Sequence, residues 1–167
     1  AQAASDDTRS HAELVGEFIA RCIEGIDVST LSGVVAGMGP GPFTGLRVGI
    51  ATIQGLAFAA GRPVVAVSTL DALGLAGART RRPTSDPLLM AAWMDAQRDE
   101  VFSQLYEVAA ERPATLPDER HLRSLEGPAV DRPDRTLDRW RPLVGARRLA
   151  FIGEGAARYR DLIGQRF

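Results

Sequence analysis

Apolar positions near the start of the chain recur at helical spacing. Leu14, Val15, Phe18, Ile19, Cys22 and Ile23 form one stripe, the three-and-four recurrence of an amphipathic helix. Ser10 precedes Glu13 by the three residues of a capping box, so a helix is expected over Ser10–Glu24. The pattern then changes. Gly33–Gly37 (GVVAG) is a short apolar run ending on glycine, which suits a buried strand. Met38–Thr44 (MGPGPFT) is a turn by its Gly and Pro content. A second helix is expected over Gly45–Ala60, with Thr44 as its N-cap and Gly61-Arg62-Pro63 as its stop. Val64–Val67 reads as another apolar strand, and Ser68 with Asp71 opens a short helix through Ala78. Strand–helix–strand–helix with all-apolar strands predicts parallel pairing under covering helices.

Beyond Thr80–Pro87 (TRRPTSDP), a polar Pro-rich stretch, the periodicity alters. Leu88–Met94 and Glu100–Val108 flank Ala96–Asp99 as an antiparallel hairpin. Ala109–Arg135 is polar and broken by proline, and is read as loops with one strand at most. Thr136–Val144 is expected as helix, Leu149–Gly153 as strand and Ala156–Ile163 as helix. The resulting plan is a first lobe over 1–79, a linker over 80–87 and a smaller second lobe over 88–167.

Composition narrows the chemistry. The apolar fraction is 45% and the charged fraction 25% over 167 residues, ordinary values for a globular chain. A net charge of −1 supplies no global field for nucleic acid. All 20 basic residues are arginine, which removes mechanisms that need a lysine amine. One cysteine, Cys22, and two distant histidines, His11 and His121, offer no zinc-ligand spacing. No metal and no cofactor are expected. The apolar run Val48–Gly61, interrupted by Gln54, is too short to span a membrane, and the opening AQAASDDTRSHAE lacks the basic-then-apolar pattern of a signal sequence. A cytoplasmic chain is expected.

Gly37-Met-Gly-Pro-Gly-Pro-Phe-Thr-Gly-Leu-Arg47 is a strand end, a glycine turn and a helix start. Such a junction aims backbone N–H groups and a helix dipole at one point, as an anion site does. It fits neither phosphate fingerprint: the Walker spacing and its lysine are missing, and Pro42 stands where a dinucleotide loop needs glycine. Two readings stay open here, a weak anion site at Gly39, Gly41, Phe43, Thr44, Gly45 and Arg47, or a turn that packs helix on strand. The helix that follows has almost no polar face, so it must be covered on both sides.

The segment GMGPGPFTGLRVGIATIQGLAFAAGRPVVAVSTLDAL resembles the central part of the TsaB (YeaZ) family, over about Gly33–Leu73. Three shorter matches keep the family's order: Arg9-Ser10-His11-Ala12-Glu13, then Met94-Asp95-Ala96-Gln97-Arg98-Asp99-Glu100-Val101-Phe102, then Ile152-Gly153-Glu154-Gly155-Ala156 with Arg158-Tyr159. Gln97 departs from the family's usual Arg, and Pro42 stands where Ser is common. Against that pattern the sequence lacks the two opening strands and a closing segment, so an incomplete first lobe is expected.

The resemblance implies the two-lobe α/β fold of actin, Hsp70 and sugar kinases (ribonuclease H-like). It implies a non-catalytic dimerisation subunit for synthesis of threonylcarbamoyladenosine in tRNA. The implied partners are the catalytic TsaD-type subunit and a TsaE-type ATPase, with a homodimer when alone and tRNA reached through the complex. The implied interface lies on the two helices, at His11, Leu14, Val15, Phe18, Ile19, Cys22, Leu46, Ile50 and Ile53. The competing readings are an ATP-dependent phosphotransferase of the same fold, a glycoprotease-like hydrolase and a plain homodimeric module.

Overall fold

A computed structural model describes residues 11–80, 88–108 and 122–167. The chain forms two compact units, Ala1–Ser68 and Thr69–Phe167.

In the first unit, α1 (His11–Cys22) packs on α2 (Phe43–Ala60), and α2 lies against β1 (Val34–Gly37). β1 pairs in parallel with β2 (Val64–Val67), Val34 opposite Val64 and Gly37 opposite Val67. The parallel pairing follows the predicted alternation of strand and helix. The helix expected over Ser10–Glu24 is shorter, and the Ser10–Glu13 capping box lies outside the described residues. α2 starts earlier than expected, at Phe43, with Pro42 as N-cap in place of Thr44. Pro42 has φ −57 and ψ 123, an extended cap, and its carbonyl already accepts from Leu46 N at 3.0 Å. The helix ends at Gly61 in the left-handed region, φ 62, where Gly61 N and Arg62 N return to Phe58 O and Ala57 O.

Leu14, Ala36 and Ala57 are the buried apolar residues of this unit among those described. The expectation of buried strands is corrected: Val35 is 62% and Val65 54% exposed. Side chains alternate along a strand, and α2 covers only one face. Val35 and Val65 are register partners, so both lie on the other face.

The second unit is a four-stranded sheet in the order β5-β4-β3-β6. β3 (Leu88–Gln97) and β4 (Glu100–Val108) form the predicted hairpin. β5 (Leu122–Asp131) adds antiparallel to β4, and β6 (Arg148–Ile152) adds parallel to β3. α3 (Thr69–Arg79) covers one face through Leu70 and Ala78 on Met90, Ala92 and Tyr106. The other face carries Leu89, Ala91, Trp93, Val101 and Leu105. α4 (Pro133–Val144) packs there through Leu137, Trp140 and Val144, beside α5 (Glu154–Arg158) and α6 (Arg160–Arg166). The single helix expected over Ala156–Ile163 is therefore two, broken at Tyr159.

The compact division differs from the expected one. α3, expected in the first lobe, belongs to the second compact unit. A Cβ on Gly74 would lie 2.9 Å from Tyr106 Cε2, and one on Gly77 2.9 Å from Met90 Sδ. Those two glycines let the helix axis approach the sheet closely. Residues 81–87 of the expected linker lie outside the described residues.

Candidate functional site

The glycine-rich turn is built around Leu46. Gly39 has φ +97, and a Cβ there would come within 2.9 Å of Leu46 Cδ1. The backbone conformation requires glycine, whereas Leu46 Cδ1 is the end of a flexible side chain that can shift. Met38 N donates to Val67 O at 2.9 Å, tying the turn to the end of β2. The peptide between Gly39 and Pro40 is cis. The Arg47 guanidinium lies 5.1 Å from the centre of the Phe43 ring, a cation–π contact at an exposed site. The packing reading gains a physical cause at Gly39, whose positive φ places the turn against Leu46, and Arg47 stacks on Phe43.

The helix faces are less covered than a core helix requires. In α2 only Ala57 is buried, while Leu46, Ile50 and Ile53 are half-buried. Phe43 is 72% and Phe58 90% exposed. A Cβ on Gly45, Gly49 or Gly55 would meet nothing within 4 Å. On α1, Val15, Phe18, Ile19 and Cys22 are half-buried. Leu14 is 3% exposed, so it serves the core of its own unit. The side chain of His11 lies outside what the structure describes. The expectation of a run too short to span is corrected: because α2 begins at Phe43, its 18 residues are long and apolar enough by length and composition to cross a membrane. Phe58 was missing from the expected interface. The signal was present, since a helix apolar all round must expose some large side chain until something covers it.

The hairpin and the turn after β6 meet in the second unit. Gln97, Arg98 and Asp99 all have positive φ, 65, 51 and 59. Asp95 Oδ1 accepts from Gln97 N at 3.0 Å. Arg158 from α5 reaches Asp95 Oδ2 at 2.6 Å and Asp99 Oδ1 at 3.3 Å. The hydrogen bond from Arg158 holds the Asp95 carboxyl below the usual aspartate range, against the opposing effect of burial. Gly153 and Gly155 admit the approach: a Cβ on Gly153 would stand 2.0 Å from Trp93 O, and one on Gly155 3.0 Å from Met94 C. Two separate sequence motifs, MDAQRDEVF and IGEGAARY, thus form one clamp. Asp95 pairs with Arg158, and Glu100 faces Gln97 in the strand register. On the face covered by α3, the Tyr106 hydroxyl donates to Asp71 Oδ1 at 2.7 Å; burial first, then this bond, pushes its pKa well up. Among the described residues no three His, Cys, Asp or Glu side chains are grouped to hold a metal ion.

The family model for TsaD, tRNA N6-adenosine threonylcarbamoyltransferase, matches residues 5–166. The chain belongs to this family. Its relatives include TsaB proteins. It is 34% identical over 99 residues to the tRNA threonylcarbamoyladenosine biosynthesis protein TsaB of Haemophilus influenzae, covering 59% of this chain and 39% of that protein. It is 39% identical over 102 residues to an uncharacterized protein of Mycobacterium leprae, covering 60% of this chain and 26% of that one. The chain thus spans less than half the length of these curated relatives. Among solved structures, it resembles an uncharacterized Pseudomonas aeruginosa protein with similarity to peptidase YeaZ, with TM-score 0.69 and 31% identity. That match covers 92% of this chain and 64% of the other. YeaZ of Pseudomonas aeruginosa gives TM-score 0.59 and 32% identity over 77% of this chain and 56% of that one. These likenesses make the TsaB (YeaZ) resemblance sound and the fold sugar-kinase- and actin-like.

Proposed function

We propose that this chain is a non-catalytic scaffold subunit of the machinery that makes threonylcarbamoyladenosine in tRNA, and that it binds and supports a TsaD-type catalytic subunit. The exposed apolar surface of α2 carries the reading. An 18-residue helix with a single buried residue, and with Phe43 and Phe58 open to solvent, is covered by another protein in use. Val15, Phe18, Ile19 and Cys22 of α1 extend this surface. Open space above Gly45, Gly49 and Gly55 suits close approach of a partner helix. A TsaE-type ATPase joins the same assembly, tRNA is met through the complex, and the chain pairs with itself when alone. The setting is cytoplasmic.

Phe58 is the sharpest probe, because at 90% exposure its replacement leaves the fold of the free chain untouched. Burying a phenylalanine contributes about 1.5–3 kcal/mol, roughly 10- to 100-fold in affinity. Calorimetric titration of the TsaD-type subunit with wild-type chain and Phe58→Asp should give that loss. Equal affinities, with matching circular dichroism, would reject the α2 interface. Saturable ATP binding with hydrolysis by this chain alone would reject the scaffold reading in favour of a phosphotransferase.

A further inference from the structure

Two fully buried polar side chains in the second unit have no hydrogen-bond partner, Trp93 at Nε1 and Ser103 at Oγ. They belong together. Trp93 on β3 and Ser103 on β4 are directly opposite in the antiparallel register, so their side chains rise on the same face as near neighbours. Tyr159 packs against this same core, and its hydroxyl oxygen is also buried without a partner. The Trp93 ring is fixed by an edge contact with Phe151 at 5.3 Å and a tilted contact with Trp140 at 5.9 Å. Trp140, by contrast, donates its own indole N–H to Glu126 Oε2. The other orphaned nitrogens, Arg62 Nε and Arg139 Nη2, belong to guanidinium groups bonded through another nitrogen.

We propose that Trp93, Ser103 and Tyr159 form a binding site for one ordered water molecule within the core formed by the sheet and α4–α6. The donor inventory fits. The indole offers one N–H and accepts nothing, while each hydroxyl both donates and accepts. A water can accept from the indole, donate to one hydroxyl and exchange a bond with the other, reaching the two to four partners that buried waters have. The site is separate from the proposed partner surface and does not depend on it.

A crystal structure of this chain at about 1.5 Å or better tests the assignment, with Ser103→Ala as the comparison. The expected result is a solvent peak about 2.7–3.2 Å from Trp93 Nε1 and from at least one of Ser103 Oγ and Tyr159 Oη. In Ser103→Ala that peak should weaken or vanish while the rest of the core keeps its place. A wild-type map without that peak would overturn the proposal, and so would one in which these groups bond directly to protein atoms. Should the variant fail to fold, Tyr159→Phe serves in its place, because Tyr159 is only half-buried.

Discussion

Replacing Gly153 by alanine should break the seam between β3 and α5. The new Cβ would stand 2.0 Å from Trp93 O, a backbone atom that cannot rotate away. Ordinary contact starts at 3.4 Å, so the chain must open by roughly 1.4 Å along this seam. Overpacking of that kind costs about 1–3 kcal/mol. The backbone adds its own penalty, since Gly153 has φ +109, a conformation that costs a side chain about 1–3 kcal/mol. The expected loss is about 2–6 kcal/mol. The chain's two tryptophans, Trp93 and Trp140, both lie in the core of the second unit. Their fluorescence in a urea titration therefore reports that unit. With a slope of about 2 kcal/mol per molar urea, the midpoint should fall by about 1–3 M. A midpoint within about 0.2 M of wild type would refute the close approach of Gly153 to β3.

Gly55→Ala should stabilise the free chain by about 1 kcal/mol through helix propensity, since its Cβ enters open space; the same change should weaken binding of the TsaD-type subunit, read by calorimetry, if a helix is seated there. Tyr106→Phe removes the bond to Asp71 Oδ1 and should cost about 1–3 kcal/mol, read from the same fluorescence titration. Arg98→Gly should raise the stability of the second unit by about 1 kcal/mol, because Arg98 holds φ 51 at the hairpin tip where glycine carries no steric penalty. The pH dependence follows from Asp95, whose folded pKa is depressed. Its contribution is present above the ordinary aspartate range and is lost as pH falls through the lower folded value. Arg158→Gln should therefore flatten the acid limb of the stability curve, measured by urea midpoints across that range.

Much of the local structure was legible because local causes produce it. Val64–Val67, Glu100–Val108 and the end of α2 at Gly61 follow from apolar runs, alternation and a glycine in the left-handed region. The sequence points to Thr44, a common cap, as the start of α2, whereas the backbone and carbonyl of Pro42 cap the helix here. β5 was hardly legible, since Leu122–Asp131 contains Gly127 and Pro128 and gains its place by pairing with β4. The break at Tyr159 is equally silent in an amphipathic run.

For the candidate site, the sequence by itself determined the family motif, the lack of lysine and a helix too apolar to stand alone. It could not say which side chains the fold would use up. Leu14 and Phe58 are both large apolar residues on helices at candidate surfaces, yet one is 3% and the other 90% exposed. Burial depends on what lies across the helix, and that is a relation between distant segments. The same holds for the clamp of Arg158 on Asp95, residues 63 positions apart. Two glycines, Gly153 and Gly155, bring them together, and only the tertiary structure could supply that distance.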